Sequence, residues 1–167
     1  MATITSPRDL FLHELGDVLY VEEKLEQEVL PQLIGEVTDP ELRKGFEKHL
    51  EQTRSHVENV ESVFEQLGEQ PTSEECVGFE GLRREHDKMT GEVAQALLDA
   101  VATASATRTE HYEIAAYEGL ITKARAMGEK RAVDLLERNL KDDKETARQL
   151  ESIAKRLSKE QTKEMTV

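Results

Sequence analysis

This 167-residue sequence predicts an all-α fold: four long helices in two antiparallel hairpins, joined by one long crossover. Three observations carry that prediction. Ala, Leu, Glu, Lys and Gln dominate the chain, and alternating runs rich in Val, Ile and Thr are absent. Four stretches carry apolar residues at helical spacing, each fenced by cap and stop residues. Only one interval, from about 68 to 91, reads as a long connection.

The first helix is predicted from about Pro7 to Ile34. Ser6-Pro7-Arg8-Asp9 supplies an N-cap, a proline at the first helical position and an acid in the first turn. Leu12, Leu15, Leu19, Leu30 and Leu33 are expected to face inward, with Pro31 kinking or tightening the end. Thr38-Asp39-Pro40-Glu41 reads as a second start, with Glu41 three residues after Thr38 as in a capping box. The second helix then carries Phe46, Leu50, Thr53, Val57, Val60, Phe64 and Leu67 on one face and stops at Gly68.

Pro71, Thr72 and Ser73 mark the crossover, with a short helix expected around Glu80 to Lys88. A third long helix begins at Gly91 or later and ends at Met127, before Gly128. The fourth spans about Lys130 to Leu157, with Leu136, Leu140, Ala147, Leu150 and Ile153 inward. The polar tail from about 158 to 167 is expected to fray. Two hairpins joined by one long crossover describe the ferritin-like version of the four-helix bundle, here as a single domain over 1–167.

Charge and composition narrow the function. With 22 basic and 35 acidic residues the net charge is -13, which opposes binding to nucleic acid. No apolar run reaches membrane-spanning length and no signal-like segment opens the chain, so a cytoplasmic protein without membrane contact is expected. The single cysteine, Cys76, has no partner for an intrachain disulfide and is expected in a loop.

The chemistry lies in polar residues that interrupt the apolar faces. On the third helix Ile114, Tyr117 and Ile121 fall within about 40° of one another. Glu110 sits in the middle of that stripe and Glu113 on its edge. Glu22 lies amid the stripe of the first helix, with Glu26 one turn further. On the second helix Thr53 is central, while His49, Gln52 and His56 run along one flank. Asp143 is central on the fourth, with Asn139 and Thr146 beside it and Asp142 further round. Glu22 stands 15 residues before Val37 and Gln52 15 after it; Glu113 stands 15 before Gly128 and Asp143 15 after it. The inward polar residues of each hairpin are therefore expected at one level.

Carboxylates aimed into a core need a metal ion, a buried cation or a proton of their own. A layer of carboxylates and imidazole from four helices suits a dinuclear metal site, with iron (two per chain) ahead of manganese. The expected ligands are Glu22, His56, Glu110, Glu113 and Asp143, with His49, Gln52 and Glu26 as weaker candidates. Glu26, Gln52 and Asp142 lie where a polar side chain ordinarily reaches solvent. Tyr112 and Tyr117 are expected to pack or to hydrogen-bond ligands, and His111 to lie at the surface or behind a ligand. Open metal positions would admit dioxygen or a peroxide. The competing reading is a metal-free helical scaffold in which the acids are protonated or paired with basic residues such as Arg108.

The runs LFLHELGDVLYVEEKL, HLEQTRSHVENVESVFEQLG and RTEHYEIAAYEGLI resemble the YciE/YciF group of ferritin-like proteins. The resemblance covers about Asp9 to Leu157, and the EHYEIAAY run is its most specific part. It implies a rubrerythrin-like bundle that forms a homodimer, holds a di-iron site and serves in stress. In the wider superfamily helices one and three each give a Glu, and helices two and four each give Glu-x-x-His. Glu22 and Glu110 match the single acids, Glu113 adds a further one as in rubrerythrin, and His56 matches the histidine of the second helix. Thr53 stands where that helix would have Glu; Asp143 stands for the Glu of the fourth, and Thr146 for its His. Phe79, Leu82 and Leu120 are expected at the dimer interface.

Overall fold

The computed structural model describes residues 4–164, all of whose regular structure is helical. Helix α1 (Pro7–Lys24) opens with a full capping box: Ser6 accepts from the backbone N–H of Asp9, and the Asp9 carboxylate accepts from that of Ser6. It continues without a break through a π-helical turn (Leu25–Val29) into α2 (Leu30–Glu36). Pro31 has no N–H to give, and its ring crowds the carbonyl four residues back. The wider turn just before it, closed by Leu30 N–H to the Leu25 carbonyl, absorbs that conflict and adds one residue to the repeat. Leu25, Leu30 and Leu33 are all buried as a result, while Leu12 is only partly so.

Helix α3 (Pro40–Gln66) is capped by Asp39, whose carboxylate accepts from the Leu42 N–H. This corrects the assignment of the cap to Thr38, which instead bonds Asp99 at the start of the third long helix, with its N–H 2.7 Å from Asp99 Oδ1. Gly68 and Gly128 end their helices with φ of 74° and 80°, the left-handed conformation that glycine takes at no steric cost.

The crossover holds more helix than expected. Helix α4 (Val77–Glu92) has 16 residues, beginning before Glu80 and running past Lys88. A 3-10 turn (Gln95–Leu97) leads into α5 (Leu98–Met127). Helix α6 runs from Lys130 to Glu164, so the expected fraying from 158 is corrected as far as the described residues reach. Ion pairing of Arg156 with Glu160 and the Ser158 hydroxyl bonded back to Ala154 knit that extra length. The rest of the expected tail, 165–167, lies outside the described residues.

In cyclic order α1, α3, α6 and α5 each pack against the next, and α4 lies outside against α5. The Arg8 guanidinium donates to the Leu67 carbonyl at 2.7 Å, which places the end of α3 beside the start of α1. The Thr38–Asp99 contact places the start of α5 at the opposite end. The crossover therefore spans the length of the bundle, which is why it needs α4. Its loop lies hard against α1 at Gly16, where a Cβ would stand 2.8 Å from the Thr72 carbonyl oxygen.

Two apolar clusters fill the bundle. One gathers Leu25, Leu33, Phe46, Phe79, Ala106 and Leu150; the other gathers Phe11, Leu15, Val60, Phe64, Leu120 and Leu136. On α3, α5 and α6 the residues between the two sets are polar: His49, Thr53 and His56; Glu110 and Glu113; Asn139, Asp143 and Thr146. Phe79 and Leu120 are buried in these clusters, at 1% and 0% exposure, which removes them as interface residues. Apolar side chains do remain exposed at Val77, Met89 and Leu97.

Candidate metal centre

Every residue expected as a principal ligand is in the polar layer, and each is at most 3% exposed: Glu22, His56, Glu110, Glu113 and Asp143. His49, placed on the flank by helical spacing, joins them at 2%. Its distance from His56 is two helical turns, which puts both imidazoles on the inner face of α3. Glu26 and Gln52 do not join. Glu26 turns outward to Arg54 at 3.6 Å, and Gln52 is half-buried, outside the cluster of buried acids and imidazoles. His111 is exposed.

The level of the first hairpin also shifts. Glu22 meets His56, not Gln52, with Oε1 3.2 Å from Nδ1. Helical side chains lean toward their own N-terminus. Glu22 thus leans away from the Val37 turn and the side chains of α3 lean toward it, so the partner comes from one turn further along.

The layer divides into two groups that share Asp143. In one, His49 Nε2 lies 3.0 Å from Glu110 Oε1, and ligand atoms of His49, Glu110 and Asp143 all lie within 4.8 Å of one another. In the other, His56 Nδ1 faces Glu22 and also Asp143 Oδ1 at 3.6 Å, while its Nε2 faces Asp142 Oδ2 at 3.5 Å. Behind these groups stands a hydrogen-bonded support. Tyr117 donates its hydroxyl proton to Glu22 Oε1. Asn139 donates to the Tyr117 oxygen at 2.9 Å and to the His56 carbonyl at 3.2 Å, and is itself held by Asn59 at 2.7 Å.

Thr146 Oγ1 stands 3.1 Å from the Asp142 carbonyl and 3.3 Å from His49 Nδ1, so it holds the imidazole ring with Nε2 turned toward Glu110.

The charges are unbalanced in the same sense throughout. Among the described residues no lysine or arginine is buried, so four carboxyls face two imidazoles. Both oxygens of Glu113 and of Asp143, one oxygen each of Glu22 and Glu110, and three of the four imidazole nitrogens lack an aligned hydrogen bond. Burial pushes Glu113 well above the usual carboxyl range, and Glu22, Asp143 and Glu110 push it further. Asp143 is raised well above its ordinary value by burial and by Glu22, with His56 opposing. Burial alone would lower His56, but Glu22, Asp143 and Asp142 together raise it to about 9. Tyr117 is held protonated by burial and by Glu22. Orphaned, buried oxygen and imidazole donors from four helices fit a bound metal; they do not fit a pocket for an anion or an apolar ligand.

Cys76 lies in the loop just before α4, as expected, and is buried, with Sγ 2.8 Å from the Tyr112 hydroxyl. His86, on the inner face of α4, is buried and reaches Glu36 Oε2 at 2.9 Å.

A bundle of two antiparallel hairpins, a spanning crossover and a polar mid-layer of acids and imidazoles defines a ferritin-like protein. The chain belongs to the DUF892 family, described as a domain of unknown function, whose sequence pattern matches residues 6–163. It is 32% identical over 148 residues to protein YciF of Escherichia coli strain K12, covering 87% of this chain and 89% of that one. The crystal structure of the E. coli stress protein YciF superposes with a TM-score of 0.86 at 30% identity, covering 93% of this chain and 98% of that one. YcfI from Rhodopseudomonas palustris also gives 0.86, at 37% identity, covering 89% of this chain and 94% of that one. A Xanthomonas campestris protein, XCC3681, shares the fold at 19% identity and a TM-score of 0.76, covering 97% of this chain and all of that one.

Proposed function

We propose that the protein is a dinuclear metal-binding protein, iron being the metal that best suits its ligands, and that it oxidises ferrous iron or reduces peroxide. The observation that carries this is the buried layer in which His49 and His56 turn nitrogen toward carboxylates with no buried lysine or arginine among the described residues. Two divalent ions would cancel four carboxylates while both imidazoles stay neutral. Asp143 stands within reach of both groups and is the natural shared ligand. His49 and Glu110 would hold one ion, Glu22 and His56 the other, with Glu113 close to both acids. The metal would supply one-electron redox chemistry toward dioxygen or a peroxide. The chain's own part is to hold the ligands dry and in place, with Tyr117 and Asn139 fixing Glu22 and Thr146 fixing His49. The E. coli relative is called a stress protein, which fits a role in oxidant or iron handling.

A metal-free scaffold is the second reading. It is favoured by Thr53 and Thr146 at positions where the wider superfamily has Glu and His, and by the structural role suggested for YcfI. One experiment separates the two. Metal per chain and melting temperature are measured for wild type and Glu110→Ala, each with and without ferrous iron. The metal reading expects iron to bind and to raise the melting temperature of wild type by mass action, and the variant to lose both effects. The scaffold reading expects background metal and unchanged curves in both.

A further inference from the structure

On the buried face of α3 a threonine stands between the two histidines that serve the two halves of the polar layer. Thr53 is 0% exposed, and its hydroxyl oxygen is sealed from solvent without a hydrogen-bond partner. Other helical threonines of the chain avoid that cost: Thr103, Thr107 and Thr122 each donate to the carbonyl four residues back. A buried hydroxyl left unpaired destabilises the fold, and a partner supplied from outside the chain removes the penalty. We propose that Thr53 is the hydrogen-bonding seat for a small anion of the hydroxide or azide class bound at the two ions, an assignment that rests on the dinuclear metal reading above.

Height along the helix and proton supply both point to that role. About 10 Å of helical rise separates His49 from His56, and Thr53 lies roughly midway. His49 belongs with Glu110 and His56 with Glu22, so the threonine is level with the boundary between the two groups. Both oxygens of Glu113 and of Asp143 also lack a hydrogen bond, so Thr53 does not spend its proton on them. A neutral hydroxyl competes poorly with carboxylates as a ligand to iron, but it has one proton to donate to an anion held there. Charge favours such an anion after oxidation. Two ferrous ions balance the four buried carboxylates, whereas two ferric ions leave positive charge over.

Azide is the probe, because it is small and anionic and gives ferric iron a visible charge-transfer band. Protein loaded with ferrous iron and oxidised in air is titrated with azide, for wild type, Thr53→Val and Thr53→Ser. Metal per chain is expected to be equal in all three. Azide affinity is expected to fall about tenfold in the valine variant and to return in the serine one. Without metal, Thr53→Val is expected to melt about 2–4 °C above wild type, since it removes an unpaired hydroxyl. Thr53→Ala carries the azide comparison if the valine variant does not fold. Equal azide affinity in wild type and the valine variant overturns the seat, and so does iron-loaded wild type that binds no azide. Metal lost from the valine variant, or a metal-free valine variant that melts no higher, overturns it as well. A wild type that holds no iron overturns the dinuclear reading, and the seat falls with it.

Discussion

Tyr117 and Glu22, 95 residues apart in sequence, are joined by a buried hydrogen bond in which the phenol donates to the carboxylate. The bond ties α5 to α1 at the level where the two histidines of α3 enter. Tyr117→Phe keeps the ring but strips Glu22 Oε1 of its donor and Asn139 of one acceptor. The expected outcome is a loss of about 1–3 kcal/mol in the metal-free protein, read from urea denaturation. A change within error would mean that Glu22 gains nothing from the phenol.

Thr146 bonds His49 Nδ1 at 3.3 Å from behind the layer. Thr146→Val removes the hydroxyl bonded to His49 Nδ1 while keeping the shape. Metal affinity is expected to fall about 10–100-fold, as for loss of other partners behind a ligand, with the helical content unchanged. Competition titration with a chromophoric chelator measures it; full affinity would show that His49 keeps its orientation without the threonine.

Asp39 gives the fold a dependence on acid. Burial works to raise its pKa, but the Leu42 N–H and Arg156, 2.8 Å away, outweigh that and hold it below 3.8. A depressed carboxyl contributes stability that is fully present above its unfolded value and is lost as pH falls through the folded one. Asp39→Asn keeps a good cap but not the charge. It is expected to cost about 0.5–1 kcal/mol near neutral pH, after allowance for solvent around Arg156, and less at about pH 3. Denaturation curves of both proteins at the two pH values decide the matter.

Gly16→Ala sets two effects against each other. Alanine gains roughly 1 kcal/mol of helix propensity over glycine. Its Cβ, however, would lie 2.8 Å from the Thr72 backbone oxygen, and backbone does not yield as a flexible side chain does. The net is expected to be a loss of about 1–2 kcal/mol. Faster proteolytic cleavage between 68 and 76 would locate the damage in the crossover loop; an unchanged cleavage rate would place it elsewhere.

The homodimer implied by family resemblance is put to the test at the apolar residues that remain exposed. Light scattering at micromolar concentration is expected to give twice the chain mass, and Leu97→Asp with Met89→Asp to reduce it to one. A wild type that scatters as a monomer removes the dimer.

The bundle was largely legible in the sequence because its signals are local. Ser6, Pro7, Gly68 and Gly128 act within a turn of themselves, and each does what its chemistry dictates. Glu22, Glu110, Glu113 and Asp143 were legible as buried because a carboxylate in a leucine stripe is conspicuous. His49 ranked only as a weaker candidate, since helical spacing fixes a face only to within the width of the stripe. The partner of Glu22 was misplaced by one turn because residue counting ignores the lean of side chains. Phe79 looked surplus only while the contacts of α4 were unknown, and Leu120 only while its packing with the cluster of Leu15, Phe64 and Leu136 was. Asp39 and Thr38 exchanged roles because Asp99, distant in sequence, claims the threonine.

The two apolar halves of the bundle carry no information about how the helices line up. A helix slid by one turn would still set leucine against leucine. The same slide would drive Glu22, Glu110 or Asp143 into hydrocarbon and strand the imidazoles without partners, a far larger cost than any packing lost. The polar layer therefore acts as an alignment mark, cut once across all four rods. Either half is free to drift in sequence, volume for volume, while the mark holds the rods in step.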